Sequence, residues 1–256
     1  MSCKTIIPCL DIYNGKTVKG INFDNLKEAG DPVQLAAYYE HQQADELAIL
    51  NIAATKENRA DFLNLVEKIR NTTTFPLIVG GGINSVDDAK EAVSKGASRI
   101  SVNSSAVKNP QLIDDLVKKF GSEKVVCAID AKKNSSLKGG WEVTTSGGKI
   151  STGIDLFKWV KEVENRGCGS ILLTSMNHDG TKGGFALKLL AELTNIVKIR
   201  VIASGGAGSM DDFVDLFENT NCTSALAASI FHYGEVEVLK LKHYLDEMGI
   251  EVCLKK

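Results

Sequence analysis

The chain has 256 residues, 43% of them apolar and 24% charged, with a formal net charge of −2. Such a length and composition suit a globule with a sizeable core, built as one large domain or two small ones. The charge leaves no electrostatic footprint for nucleic acid, and no signal peptide or membrane-length apolar run is present, which points to the cytoplasm.

In chain order, the first apolar run covers residues 5–10, followed by a long loop over 13–31 and a helical pattern over 32–43. Runs at 46–52, 77–79, 99–103 and 124–129 then alternate with helical patterns at 60–70, 86–95 and 110–120. A second long loop covers 131–153. Beyond it come a helix over 154–166 and runs at 170–174, 199–203 and 224–228, each with a helical pattern after it (186–195, 210–217, 235–248). Pro110 after Asn109 reads as a first-position helix proline, and Gly96 and Gly167 read as helix stops. Eight βα units of about 30 residues, with continuous rather than alternating apolar strands, predict a closed parallel (β/α)8 barrel, the TIM-barrel architecture. An open doubly wound sheet is the alternative, but no G-x-G-x-x-G follows the first strand.

The units repeat by halves. Leu77-Ile-Val-Gly-Gly-Gly-Ile-Asn-Ser-Val-Asp-Asp88 aligns without a gap on Val201-Ile-Ala-Ser-Gly-Gly-Ala-Gly-Ser-Met-Asp-Asp212. Each is a strand, a glycine turn and a helix start, an arrangement whose backbone N–H groups and helix dipole suit a phosphate. Ile6-Ile-Pro-Cys-Leu-Asp11 is echoed by Val125-Val-Cys-Ala-Ile-Asp130, and Leu47-Ala-Ile-Leu-Asn51 by Ile171-Leu-Leu-Thr-Ser175. Two homologous half-barrels, about 1–121 and 122–256, are expected to share one core in a single 1–256 domain. Two anion turns half a chain apart imply a substrate with a phosphate at each end.

Barrel sites lie at the C-terminal ends of the strands. Asp11 and Asp130 end matched strands there and face one another by symmetry, so one can accept a proton while the other donates. Asp179 and Gly180 follow the sixth strand and adjoin Gly205, Gly206 and Ser229; Asn103 and Ser104 complement Gly81 and Gly82 in the other half. Lysines in both long loops, including Lys19, can reach an anion. His41 and His243 fall in helices as surface residues, while His178 and His232 lie near the mouth without metal-ligand spacing. Nothing implies a metal, flavin or nicotinamide. The six cysteines (Cys3, Cys9, Cys127, Cys168, Cys222, Cys253) include no C-x-x-C and read as reduced thiols.

Ile7-Pro-Cys-Leu-Asp11, Val18-Lys-Gly20, Gly30-Asp-Pro32, Val79-Gly-Gly-Gly82, Ala128-Ile-Asp-Ala131, Leu173-Thr-Ser175, Asp179-Gly-Thr-Lys182, Ala203-Ser-Gly-Gly206 and Ala227-Ala-Ser-Ile-Phe-His232 together resemble the cyclase-subunit family of imidazole glycerol phosphate synthase, from histidine biosynthesis. The resemblance implies an ammonia-dependent lyase without cofactor, in which Asp11 and Asp130 are the acid/base pair and Lys19 helps to close over the substrate. It assigns one phosphate to Gly82, Asn103 and Ser104, and the other end to Asp179, Gly180, Gly206 and Ser229. It also implies a separate glutaminase subunit docked on the N-terminal face, passing ammonia through the barrel. There the family has an arginine, a glutamate, a lysine and a glutamate where this chain has Thr5, Glu46, Arg99 and Ser170. A Glu46–Arg99 pair is expected at the ammonia entrance, but not the four-residue ring. Ser98 replaces an aspartate that meets the partner, and Asn51 replaces an aspartate after the second strand. The altered lower face leaves two alternatives: a paralogue delivering ammonia for amidines of surface sugars, and a barrel that only binds phosphorylated metabolites.

Overall fold

A computed structural model of the chain describes residues 3–21, 24–55 and 57–254. Asn22 and Phe23 of the expected first loop lie outside the described residues, as do the extreme ends of the expected 1–256 domain.

The first unit is β1 (Thr5–Tyr13), a hairpin of β2 (Lys16–Ile21) and β3 (Asp24–Gly30), and α1 (Pro32–His41). Three units follow: β4 (Leu47–Asn51) with α2 (Arg59–Thr72), β5 (Leu77–Gly80) with α3 (Val86–Ser94), and β6 (Arg99–Val102) with α4 (Ser104–Lys108) and α5 (Gln111–Phe120). The second half opens with β7 (Val125–Lys133), a hairpin of β8 (Trp141–Thr145) and β9 (Ile150–Asp155), and α6 (Leu156–Asn165). It continues with β10 (Ser170–Ser175) and α7 (Leu187–Ile196), then β11 (Arg200–Ser204) and α8 (Met210–Asn219), and ends with β12 (Ser224–Ala227), α9 (Ser229–His232) and α10 (Val238–Glu247).

Pairing runs β1-β4-β5-β6-β7-β10-β11-β12, every step parallel, and β12 returns to β1. The sheet is therefore closed, and the open alternative is excluded. Closure explains the unbroken apolar runs. Along each strand one set of side chains meets the helices while the alternate set, including Ile7, Ala48, Ile78, Val126, Leu172 and Ile202, fills the barrel interior.

Local chemistry sets the helix starts. The Asp31 carboxylate accepts the N–H groups of Val33 and Gln34, with Pro32 in the first turn, and Asp155 does the same for Phe157 and Lys158 in the second half. Ser85 caps α3, and Ser209 with Asp212 forms a reciprocal capping box on α8. Pro110 stands at the N-cap of α5 rather than inside it. His41 and His243 are exposed, as expected. No helix among the described residues is long and apolar enough to cross a membrane.

Two expectations change. Asp11 and Asp130 do not end their strands: β1 and β7 continue to Tyr13 and Lys133 and turn back as antiparallel hairpins, so the described parts of the long loops extend the sheet. Glu142 holds the second hairpin together, accepting from Asn134 Nδ2 at 2.9 Å and Gly153 N at 2.6 Å. The reduced-thiol reading holds for Cys9, Cys127, Cys168 and Cys222, all buried, but Cys3 and Cys253 form a disulfide, with their Cα atoms 5.5 Å apart. Barrel closure brings the ends together, with Lys4 bridged in parallel to Val252, a proximity that spacing along the sequence cannot reveal.

Candidate active site

Asp11 and Asp130 share the strand phase of the interior residues, so both carboxylates point into the mouth, where they are 4% and 7% exposed. β1 and β7 lie four strands apart around the eight, which sets the two groups on opposite walls. Asp11 accepts a weak hydrogen bond from Cys9 Sγ at 3.7 Å, and Lys19 Nζ lies 3.4 Å from its Oδ2. Lys19 comes from β2, which folds back from β1 so that Val18 pairs with Asp11. The same ammonium lies 3.5 Å from Asp179 Oδ1. Asp130 accepts from Asn103 Nδ2 at 3.0 Å.

These environments differ electrostatically. Burial pushes the Asp130 carboxyl up to about 6; the Asn103 amide works against that, and the charges of Asp179 and Asp11 add to it. Burial also raises Asp11, opposed by the Lys19 ammonium. Burial alone would lower Lys19, but Asp11 and Asp179 outweigh it and hold the ammonium above its ordinary value. Near neutral pH the cluster thus has a firmly charged cation and, across the mouth, a carboxyl titrating within reach of physiological pH. Asn103→Ala removes the donor that favours the ionised form of Asp130. The Asp130 midpoint should rise by about one pH unit, read by carboxyl carbon NMR on the free protein. An unchanged or lower midpoint would show that the amide does not tune this carboxyl.

The two glycine turns match down to their contacts. Gly81 and Gly82 have φ of +92° and +73°, and Gly205 and Gly206 have +89° and +108°. A Cβ on Gly81 would overlap the backbone of Asn51; one on Gly205 would press on the Ser175 carbonyl, the equivalent position one half later. Only glycine permits that approach in that conformation. Gly206 and Ser229 line one cavity with Asp11, Lys19, Asp179 and Gly180, so the second-half phosphate residues adjoin the Asp11 wall. Gly184 N donates to Gly206 O at 2.9 Å, laying the Asp179 loop onto the turn. In the other half Asn103 reaches Asp130, Ser104 opens α4 and accepts from Ser146 N at 3.2 Å, and Gly82 lines a separate cavity with Asn51 and Arg59.

Sequence reasoning missed Arg59, whose Nη1 donates to Gly82 O at 3.1 Å and Nη2 to Asp88 O at 2.8 Å, clamping the first turn from outside. Its signal is faint: one arginine at the start of a helix facing the rim. Asn51 bonds within its own loop. Its amide donates to Asn58 Oδ1 at 3.3 Å and accepts from Ala53 N at 3.2 Å, bracing its own loop. His178 Nδ1 pairs with Ser175 Oγ at 2.8 Å and His232 Nδ1 with Tyr39 Oη at 2.6 Å; burial pushes His232 down to about 4. At the opposite end of the barrel Glu46 and Arg99 form the expected ion pair, and Ser98 Oγ accepts from Leu77 N at 3.2 Å.

Fold and rim together define a (β/α)8-barrel enzyme, its polar groups gathered where the strands end. The chain belongs to the histidine biosynthesis protein family, whose profile matches residues 5–237. It is 54% identical to the imidazole glycerol phosphate synthase subunit HisF of Flavobacterium psychrophilum, over 99% of this chain and 100% of that one. The same subunit of Flavobacterium johnsoniae is 52% identical over 99% of this chain and 100% of its own. That of Streptococcus mutans is 51% identical over 97% and 98%.

Proposed function

We propose that this chain is the ammonia-using cyclase of histidine biosynthesis, a lyase. Its substrate would be the linear bis-phosphorylated phosphoribulosyl formimino aminoimidazole carboxamide nucleotide. Its products would be imidazole glycerol phosphate and the aminoimidazole carboxamide ribonucleotide. The observation that carries the reading is the pair of buried carboxylates on opposite walls between two matching glycine turns. A substrate with a phosphate at each end would lie across the mouth with its middle over Asp11 and Asp130.

Ring formation needs protons taken from the nitrogen as it bonds to carbon and given to the groups that leave. Asp130, held up to about 6, exchanges a proton readily near neutral pH and suits the donor role. Asp11 beside the Lys19 ammonium suits the acceptor, and Lys19 reports its position to Asp179 at the second-half turn. Gly82, Asn103 and Ser104 would hold one phosphate, and Gly180, Gly206 and Ser229 the other. A glutaminase subunit on the N-terminal face would supply ammonia past Glu46 and Arg99.

Purified protein given the linear bis-phosphate and ammonium at raised pH should release the aminoimidazole carboxamide ribonucleotide. Conversion of the aldose precursor without fragmentation would indicate an isomerase instead, and absence of both products would sink the assignment.

A further inference from the structure

The two ends of the chain are fastened to each other twice, once by hydrogen bonding and packing and once covalently. Lys4 N donates to Glu251 O at 2.7 Å, and Lys4 pairs in parallel with Val252 just outside β1. Lys4 Nζ donates to Cys222 O at 2.7 Å and stands over the Phe217 ring, while Val252 is buried in the helix-side core. Cys3 precedes Lys4 and Cys253 follows Val252, and the disulfide between them spans 250 residues of sequence.

The six cysteines divide by access. Cys253 is exposed and Cys3 half-buried, whereas Cys9, Cys127, Cys168 and Cys222 are buried. Burial pushes the thiols of Cys168 and Cys222 up to about 11 and raises those of Cys9 and Cys127 as well. Exchange needs a thiolate and an open approach to sulfur, so these four stay out of it while the fold holds. A thiol arriving from solution therefore meets a single reactive pair.

That pair lies where β1 and β12 begin, away from the mouth that holds Asp11 and Asp130. The Lys4–Glu251 hydrogen bond and the burial of Val252 involve no sulfur, so the folded barrel keeps its ends together in either redox state. What the covalent bond changes is the unfolded chain. A link between residues 3 and 253 turns nearly the whole chain into a ring, and the entropy it removes grows with the span enclosed.

We propose that Cys3 and Cys253 form a thiol–disulfide exchange site through which the surrounding thiol supply sets how strongly the barrel resists unfolding. Its ligands are low-molecular-weight thiols and their disulfides. To open the bridge, a thiolate attacks one of its sulfurs, forms a mixed disulfide and expels the other sulfur as a thiolate. A second thiolate then attacks the mixed disulfide and releases the small-molecule disulfide, so two thiols are oxidised and both cysteines are reduced. Closure is the reverse, with the small-molecule disulfide as oxidant. Where thiols are plentiful the bridge is open at rest, and it closes as the pool is oxidised. The device holds whichever reaction the mouth performs.

The full chain, equilibrated in glutathione buffers from fully reduced to fully oxidised, can be quenched natively with a maleimide, weighed by mass spectrometry and melted. Reduced protein should take up two maleimides and oxidised protein none, without covalent dimers. The oxidised chain should melt about 5–15 °C above the reduced one. Cys3→Ser and Cys253→Ser should each melt with the reduced parent whatever the buffer. Oxidised and reduced parents melting within about 1 °C of one another would overturn the proposal. So would a bridge that glutathione fails to open in the folded chain, or oxidation that gives linked chains or a lasting glutathione adduct in place of the internal bond.

Discussion

Asp130→Asn is expected to lower kcat by about 10²–10⁴-fold while leaving the KM for bis-phosphate within about threefold. The substitution preserves size and shape at a position 7% exposed, and the new side chain keeps an oxygen to accept from Asn103 Nδ2. What it removes is the titrating proton, whose midpoint near 6 fits it for exchange at neutral pH. Asp11→Asn should cost a similar factor for a parallel reason. Lys19 loses one carboxylate but keeps Asp179, so the β2 hairpin stays over the mouth and the loss is chemical. Steady-state kinetics with ammonium as nitrogen source, alongside near-UV circular dichroism to confirm unchanged packing, distinguishes the outcomes. Either variant retaining more than about a tenth of parental turnover would remove that carboxylate from the acid/base pair.

Gly206→Ala should damage binding instead. With φ of +108° the position disfavours any L side chain, and an added Cβ would overlap the Gly184 carbonyl oxygen and press to 3.1 Å on His178 Cβ. The Gly184–Gly206 hydrogen bond ties the turn to the loop carrying Asp179, so relief of the clash moves that loop away from Lys19. The expected result is a bis-phosphate KM raised at least about tenfold and a melting temperature lowered by about 4–10 °C. Gly234→Ala supplies the control. Its φ is +67°, but nothing stands within 4 Å of the added Cβ, so it imposes backbone strain without a clash. It should leave the KM unchanged. A Gly206→Ala protein binding with parental KM would mean that this turn does not hold the substrate.

The barrel was legible because parallel strands buried on both faces read as unbroken apolar runs, and the eight runs fall on the eight barrel strands within a few residues. The carboxylate pair was legible for a related reason: an aspartate closing an apolar run, twice and in matched positions, is hard to assign to packing. Most of what stayed hidden depends on partners far away along the chain. Arg200 reads as the polar edge of a strand until Thr5, 195 residues earlier, is placed beside it. Cys3 and Cys253 are 250 residues apart and meet only because the sheet closes. The hairpins β2–β3 and β8–β9 read as loops because their polar strands carry little apolar periodicity; the second depends on side-chain bonds such as Ser151 Oγ to Glu142. The short helices α4 and α9 are under two turns and leave no periodic signal.

The return of β12 to β1 also bears on how the chain comes to exist. Until β12 is made, the Thr5–Pro8 stretch of β1 has no partner on the side that β12 takes, while β2 covers only Asp11–Tyr13. Loop-closure entropy rises only slowly with separation, so the final pairing is thermodynamically cheap, yet it comes late. A product that contains β11 but lacks β12 carries bare edges at β1 and β11, each able to recruit a strand from another molecule. Protection of both edges is therefore acquired in one step, when β12 joins β11 to β1.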